Sequence, residues 1–258
     1  MKIVLIGAGN VGFHLAQILC KGGHELVQII DHKMETAAEL ASIVSTSEYT
    51  TKIKEINKNA DLYLLCVRDE NLLHLAEDLQ LFGKVVVHVS GSVPLKILKE
   101  VSTHYGVLYF LQTFTKVAQQ PDLSSTPICV EASDNYTKDI LLQLASSISS
   151  NVCYTSSEDR LVIHLSAVFA CNYSNFMYTI AYNLLKEKGL DFHLLLPLIE
   201  ETVHKIQKMP PESAQTGPAV RGDKVVLNRH LQALKQMESG RIYENLYKIL
   251  SEFLYKEK

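Results

Sequence analysis

A strand that ends in a glycine-rich turn and opens straight into a helix constrains this chain more than any other feature. Residues 3–6, Ile-Val-Leu-Ile, form a short apolar run rich in β-branched side chains, as a strand buried on both faces requires. The run passes directly into Gly7-Ala8-Gly9-Asn10-Val11-Gly12, the G-x-G-x-x-G spacing. Over residues 11–20 apolar side chains recur at helical intervals, Gly22 and Gly23 stop the helix, and a second apolar strand at 26–30 ends in Asp31. Gly7 permits the tight turn, Gly9 lets the backbone approach a pyrophosphate, and Gly12 lets the helix pack closely on the strand. Free N–H groups at the helix start face phosphate charge, so the whole turn, Ala8, Asn10 and Val11 included, is a candidate cofactor contact. Asp31, about 20 residues beyond the glycines, sits where a carboxylate accepts hydrogen bonds from an adenosine ribose. The expected cofactor is NAD or NADP. Asp31 favours NAD because its charge repels a 2′-phosphate, while His32 and Lys33 follow at once and offset that repulsion.

The pattern then repeats. Residues 35–43 read as helix, 45–56 as a short strand plus a short helix, and 61–67 as another doubly buried strand running into Val67, Arg68 and Asp69. A helix at 71–79, a strand at 84–89, a helix at 94–101 and a strand at 106–110 follow. Such alternation predicts an α/β fold with a Rossmann-type, doubly wound and mostly parallel sheet. In such sheets ligands bind at the carboxyl ends of the strands, so the loops at 7–12, 67–69, 88–92 and 112–115 converge on one crevice. Val67, Arg68, His88 and Ser90 therefore join the cofactor-binding candidates; His88, Ser90 and Ser92 are placed to touch nicotinamide ribose or substrate. Residues 126–131 and 152–155 read as two further edge strands, and the dinucleotide-binding domain is expected to span 1–155.

At residue 155 the pattern changes. Thr155-Ser156-Ser157-Glu158 has capping-box spacing, and no glycine or proline interrupts the chain until Gly189. One helix from residue 158 to about 188 would be on the order of 45 Å long, more than the thickness of a small domain. Stretches 192–208, 227–238 and 241–256 also read as helices, and 209–223 is the most loop-like span. Residues 156–258 are thus expected to form a smaller all-helical substrate and dimerisation domain, with its long apolar helix packed on a second copy as a homodimer. Steps of 100° per residue bring His164, Cys171, Asn175, Tyr178 and Tyr182 into one stripe with Asn172 at its edge. Histidine suits proton transfer near neutral pH, so His164 is the candidate proton group and Asn172 and Asn175 its orienting partners. The plainer alternative makes all three satisfied core or interface polars. The cluster Thr216-Gly217-Pro218-Ala219-Val220-Arg221-Gly222-Asp223 offers amides, a hydroxyl, and in Arg221 a guanidinium that can grip a carboxylate or phosphate. Its plainer alternative is a connector with Arg221 paired to Asp223. No histidine, cysteine or acidic spacing suggests a metal.

Composition narrows the partners. A chain of 258 residues, 47% hydrophobic and 21% charged with a net charge of −3, gives no electrostatic reason to expect nucleic-acid or anionic-membrane binding. No apolar stretch reaches the roughly 20 residues a membrane helix needs, and the glycine motif interrupts what a signal peptide would require. The five cysteines are scattered without C-x-x-C or zinc spacing and read as buried free thiols. A cytoplasmic location is expected, with a small molecule as the substrate.

These motifs occur in an order that resembles a known group. The glycine fingerprint, His88-Val89-Ser90-Gly91-Ser92, Leu111-Gln112-Thr113-Phe114, the helix carrying His164, Asn172 and Asn175, and Thr216-Gly217-Pro218 with Arg221-Gly222-Asp223 resemble bacterial Rossmann-like proteins with a C-terminal domain of unknown function 2520. That group is similar to pyrroline-5-carboxylate reductases and to 6-phosphogluconate and β-hydroxyacid dehydrogenases. The resemblance implies an NAD(P)-binding domain, a dimerising helical domain and an active site between them. The chain departs from the β-hydroxyacid dehydrogenases, which place a lysine and an asparagine four apart on the interdomain helix; here His164 is followed four later by Val168. The expectation is an oxidoreductase moving a hydride between nicotinamide and a small hydroxy acid, keto acid or imine. The alternative is a dinucleotide-binding sensor or scaffold without turnover.

Overall fold

The computed structural model describes residues 1–46, 48–116 and 121–256. Contacts divide the chain into two compact units, Met1–Val168 and Phe169–Lys258.

The first unit alternates strand and helix as the apolar pattern requires. β1 (Lys2–Ile6), α1 (Asn10–Lys21), β2 (Glu25–Ile30), α2 (Met34–Ile43) and the two-residue β3 (Tyr49–Thr50) build one side of the sheet. β4 (Leu62–Leu65), α3 (Asp69–Asp78), β5 (Val85–His88) and β6 (His104–Phe110) build the other. β7 (Ile128–Ala132), α4 (Asn135–Ser146) and β8 (Val152–Tyr154) complete it. The strand order is β3-β2-β1-β4-β5-β6-β7-β8, parallel throughout except for the antiparallel β6–β7 pair. The order reverses between β1 and β4, and that switch point opens the crevice in which ligands of doubly wound sheets bind. Residue alternation explains the two cores. Ile3 and Leu5 face Leu15 and Leu19 of α1, Leu40 of α2 and Leu141 of α4, whereas Val4 and Ile6 face Leu72 and Ala76 of α3. The stretch at 94–101 makes only a 3-10 turn, Leu95–Leu98, because Pro94 holds an extended ψ and the segment is too short for more.

The helix predicted at 158–188 is continuous in path but not in type. α5 (Ser157–Ala167) gives way to a π segment, Val168–Tyr173, which leads into α6 (Ser174–Glu187). A π turn adds a residue per turn, so the constant 100° step behind the stripe of 164, 171, 175, 178 and 182 does not hold through it. The N-cap is Ser156, whose side chain accepts from the Asp159 N–H, one residue later than expected. The contact boundary also falls later than residue 155, because α5 packs on the sheet unit.

The second unit is all helical: α6, a 3-10 turn at Phe192–Leu195, α7 (Leu196–Lys208), the single-turn α8 (Pro211–Ala214) and α9 (Pro218–Arg221), α10 (Lys224–Gln236) and α11 (Glu238–Lys256). Among its described apolar residues only Ala219 and Leu234 are buried, while Phe169, Leu194, Leu198, Ile242 and Phe253 stand exposed. Among the described residues no helix is long and apolar enough to cross a membrane. The cysteines are free, but they are not uniformly buried: Cys66 and Cys129 are, and Cys171 on the π segment is exposed.

Candidate active site

The carboxyl ends of β1, β4, β5 and β6 lie side by side, and each contributes one element of the site. At β1 the turn is held by backbone and by one carboxylate. The Gly7 N–H donates to the Ile30 carbonyl at 2.7 Å, its φ is +99°, and a Cβ there would stand 2.5 Å from the Cys66 carbonyl oxygen. A Cβ on Gly12 would collide with the Gly7 carbonyl. Neither position admits another residue.

Gly9 differs. It N-caps α1 with no side-chain hydrogen bond, and nothing lies within 4 Å of where its Cβ would be. The first turn of α1 therefore presents uncapped amides toward open space, the cradle that a pyrophosphate needs. The amides of Asn10, Val11 and Gly12 are the donors that this turn leaves uncapped. The Val11 side chain itself packs into the core, and the Asn10 side chain accepts the Lys116 N–H at 3.4 Å. Ala8 is not among the donors, contrary to expectation. It is fully buried, and its N–H donates to Asp31 Oδ2 at 2.8 Å.

Asp31 is accordingly turned inward. Its other oxygen accepts the Lys33 N–H at 2.9 Å and lies 3.0 Å from His32 Nδ1, and its side chain is only 6% exposed. The His32 ring, by contrast, is 80% exposed, and Lys33 is exposed as well. Across the switch point, Val67 is half-buried and Arg68 is exposed beside Glu70 at 3.6 Å.

The loop after β5 is folded by its own side chains. His88 is completely buried, so its side chain cannot touch nicotinamide or substrate as the sequence suggested. Its Nδ1 accepts the Ser90 N–H at 3.2 Å, and burial, followed by the nearby Arg160 charge, pushes its pKa down to about 3. Ser90 is also buried, and its Oγ accepts the N–H groups of Ser92 and Val93. Ser92 in turn donates to Asp69 at the start of α3. His88 and Ser90 shape the loop that a ligand would meet.

His164 reaches this loop from α5. Gly91 is packed against it so closely that a Cβ would lie 2.7 Å from the ring Cγ and Nδ1. Its Nδ1 is 3.0 Å from the hydroxyl of Tyr109 near the end of β6, with the two rings edge to face at 5.7 Å. What places α5 is the fully buried Arg160 one turn earlier. Its guanidinium pairs with Glu131 on β7 and donates to the Val93 carbonyl at 2.5 Å. Ser157 adds a second tie, donating to Glu131 and accepting the Leu95 N–H at 3.0 Å. Sequence reasoning missed Tyr109, Glu131 and Arg160. The available signals were a buried-strand tyrosine close to a strand end and an arginine four residues before the candidate histidine.

On the same edge the 112–116 loop is fastened to α1. His14 is buried with its Nε2 3.1 Å from the Thr115 carbonyl, and its ring packs beside Phe114. In the second unit Asn172 lies within the π segment and Asn175 at the start of α6, both exposed. Arg221 ends α9, is exposed, and pairs with no carboxylate among the described residues. Asp223, rather than pairing with Arg221, caps α10 by accepting the Val226 N–H.

Residues 2–91 match the family described as NADP oxidoreductase, coenzyme F420-dependent, and residues 126–252 match the domain of unknown function DUF2520. Over 99% of its length the chain is 39% identical to a provisionally named NADP oxidoreductase from Bacteroides fragilis, of which it covers 98%, with a TM-score of 0.89. The chain belongs to this DUF2520 family of NAD(P)-dependent oxidoreductases. More distant folds also match this family member. An imine reductase from Myxococcus stipitatus in complex with NADP+ aligns over 99% of this chain and 93% of its own at 12% identity, TM-score 0.68. The 1-pyrroline-5-carboxylate reductase of Streptococcus pyogenes aligns over 99% and 98% at 14% identity, TM-score 0.62. These two show the fold alone. Among curated proteins no match is found.

Proposed function

We propose that this oxidoreductase moves a hydride between NADP(H) and a small acid bearing a hydroxyl, keto or imine carbon, with His164 managing the proton. The carrying observation is that an uncapped helix start and a histidine share one sheet edge. The glycine turn ends β1, and His164 sits against the loop that ends β5, two strand spacings away, or about 10 Å. A dinucleotide with its phosphates on the α1 amides has its nicotinamide half running along that edge. When bound, the nicotinamide supplies or accepts the hydride. The protein's part is to hold the phosphates, keep the β5 loop rigid and deliver the proton.

The reading prefers NADP because Asp31 is spent on the turn, leaving His32, Lys33 and Arg68 as the exposed side chains toward a 2′-phosphate. Asn172 and Asn175 keep the proposed role of orienting the proton group, and Arg221 that of gripping the substrate's anionic group. The exposed apolar side chains of the helical unit support a homodimer through that unit, since a soluble monomer rarely leaves so many large apolar groups uncovered.

The test follows reduced-nicotinamide absorbance with NADPH and NADH against a panel of ketoacids and cyclic imines. Turnover is expected with at least one member, and His164→Ala should reduce it about 100-fold or more with cofactor affinity unchanged. Binding of both dinucleotides without any turnover would overturn the assignment in favour of a sensor or scaffold.

A further inference from the structure

A histidine that delivers a proton must be held in one orientation and one tautomer, because its two nitrogens have different tasks. Three contacts hold His164. The Gly91 backbone flanks the ring with no room for a Cβ, Arg160 fixes α5 one turn earlier, and the Tyr109 hydroxyl stands 3.0 Å from Nδ1. Only the last reaches a ring nitrogen. Tyr109 is itself 8% exposed and lies in a small apolar cluster with Val107 and Cys129, against which Leu95, Leu111 and Ile163 pack.

We infer that Tyr109 is the positioning residue of the site: its hydroxyl oxygen accepts the His164 Nδ1–H and leaves Nε2–H as the proton donor to the substrate. As the substrate heteroatom takes up the proton, the Nε2–H bond breaks and its electron pair stays on the ring. The imidazolium becomes a neutral imidazole whose remaining proton is on Nδ1, still held by Tyr109. His164 is only half-buried, so solvent restores the proton at Nε2. Other ionisable groups on the elements packed around the ring are already committed. Arg160 pairs with Glu131, Asp69 accepts from Ser92, and His88 stays neutral. Among the described residues, Tyr109 is the ionisable group whose hydrogen bond to the His164 ring is seen.

This inference rests on the proposed function for the proton's destination, but its test does not need turnover. In the full-length, cofactor-free protein, nitrogen NMR shifts of neutral His164 are expected to show the Nδ1–H tautomer. In Tyr109→Phe, which keeps the ring and its packing, that preference for Nδ1–H should be lost, because the acceptor that selects it is gone. Dissociation constants for NADPH should stay within about twofold, while kcat falls about tenfold with KM little changed. A neutral ring protonated on Nε2 in the parent protein, or a tautomer unchanged in Tyr109→Phe, would overturn the inference, since Tyr109 would then be a donor to the ring or mere packing. Absent turnover with the NMR results as expected would instead strike the proposed function.

Discussion

Replacing Asp31 with asparagine separates two roles that Rossmann folds assign to this position. If Asp31 only reads the ribose, losing its charge weakens NADH and relieves the repulsion of a 2′-phosphate, so preference swings toward NADPH. The structure argues for another role. The two carboxylate oxygens divide two backbone amides between them, the buried Ala8 N–H on Oδ2 at 2.8 Å and the part-buried Lys33 N–H on Oδ1 at 2.9 Å. An amide side chain has one acceptor oxygen, so Asp31→Asn leaves one of those donors facing an NH2 group. Losing a hydrogen bond to a charged group costs about 1.5–3 kcal/mol. For a chain of this size that corresponds to a fall in Tm of about 4–10 °C. The damage falls on the turn that carries the phosphates, which is common to both cofactors. Fluorescence titration should therefore show NADH and NADPH both weakened, by about tenfold, with their ratio little changed. A variant with unchanged Tm whose preference moves tenfold toward NADPH would refute this argument and return Asp31 to the ribose.

Three other outcomes follow from the same geometry. Arg160→Met strands the Glu131 carboxylate against β7 and should cost about 3–5 kcal/mol by urea unfolding, much of it recovered when Glu131→Leu is added; a loss under 1 kcal/mol would contradict the buried pairing. His88 should make the fold acid-sensitive. Its pKa falls from 6.5 to about 3 on folding, so the unfolded chain binds the proton first, and stability present above pH 6.5 is lost as pH drops toward 3. At pH 5 that loss is about 2 kcal/mol, and His88→Asn, which keeps an acceptor for the Ser90 N–H, should remove it; equal acid sensitivity in the two proteins would exclude His88 as the cause. Finally, sedimentation should show a dimer that Leu194→Glu with Leu198→Glu shifts toward monomer, whereas a monomeric parent protein at micromolar concentration would overturn the proposed homodimer.

The sheet was readable because its signals are local. Ile3 to Ile6 and Leu62 to Leu65 are continuous apolar runs bounded by glycine or charge, and nothing but a doubly buried strand uses them. Gly7 and Gly12 announced themselves for the same reason, since the chain cannot turn there with any other residue. The α4 helix was missed although Asn135–Ser146 carries Asp134 as its N-cap and an apolar face of Leu141, Leu144 and Ala145, because its first turn is polar and the apolar run comes late. The π segment was missed for a different reason. Periodicity assumes one helix type, and no composition marks Val168–Tyr173 as having a wider turn.

The site divides along the same line. Candidates whose placement is set by their neighbours in sequence were legible: the α1 amides follow from the glycine spacing, and His164 is the one histidine on the long helix. Residues whose task is set across the sheet were not. Ala8 and Asp31 are 23 positions apart and Tyr109 and His164 are 55 apart. Glu131 and Arg160 are separated by 29. Each of these pairs is a polar contact in a largely dry interior, where an unmatched group costs more than a matched one gains. Their value is therefore placement. Arg160 ties β7, the β5 loop and α5 into one body, and His164 sits one turn along from it; Asp31 ties the end of β2 to the turn after β1. If that is right, disrupting either tie should degrade catalysis or cofactor binding before it unfolds the chain, because the apolar cores on the two faces of the sheet contain neither residue.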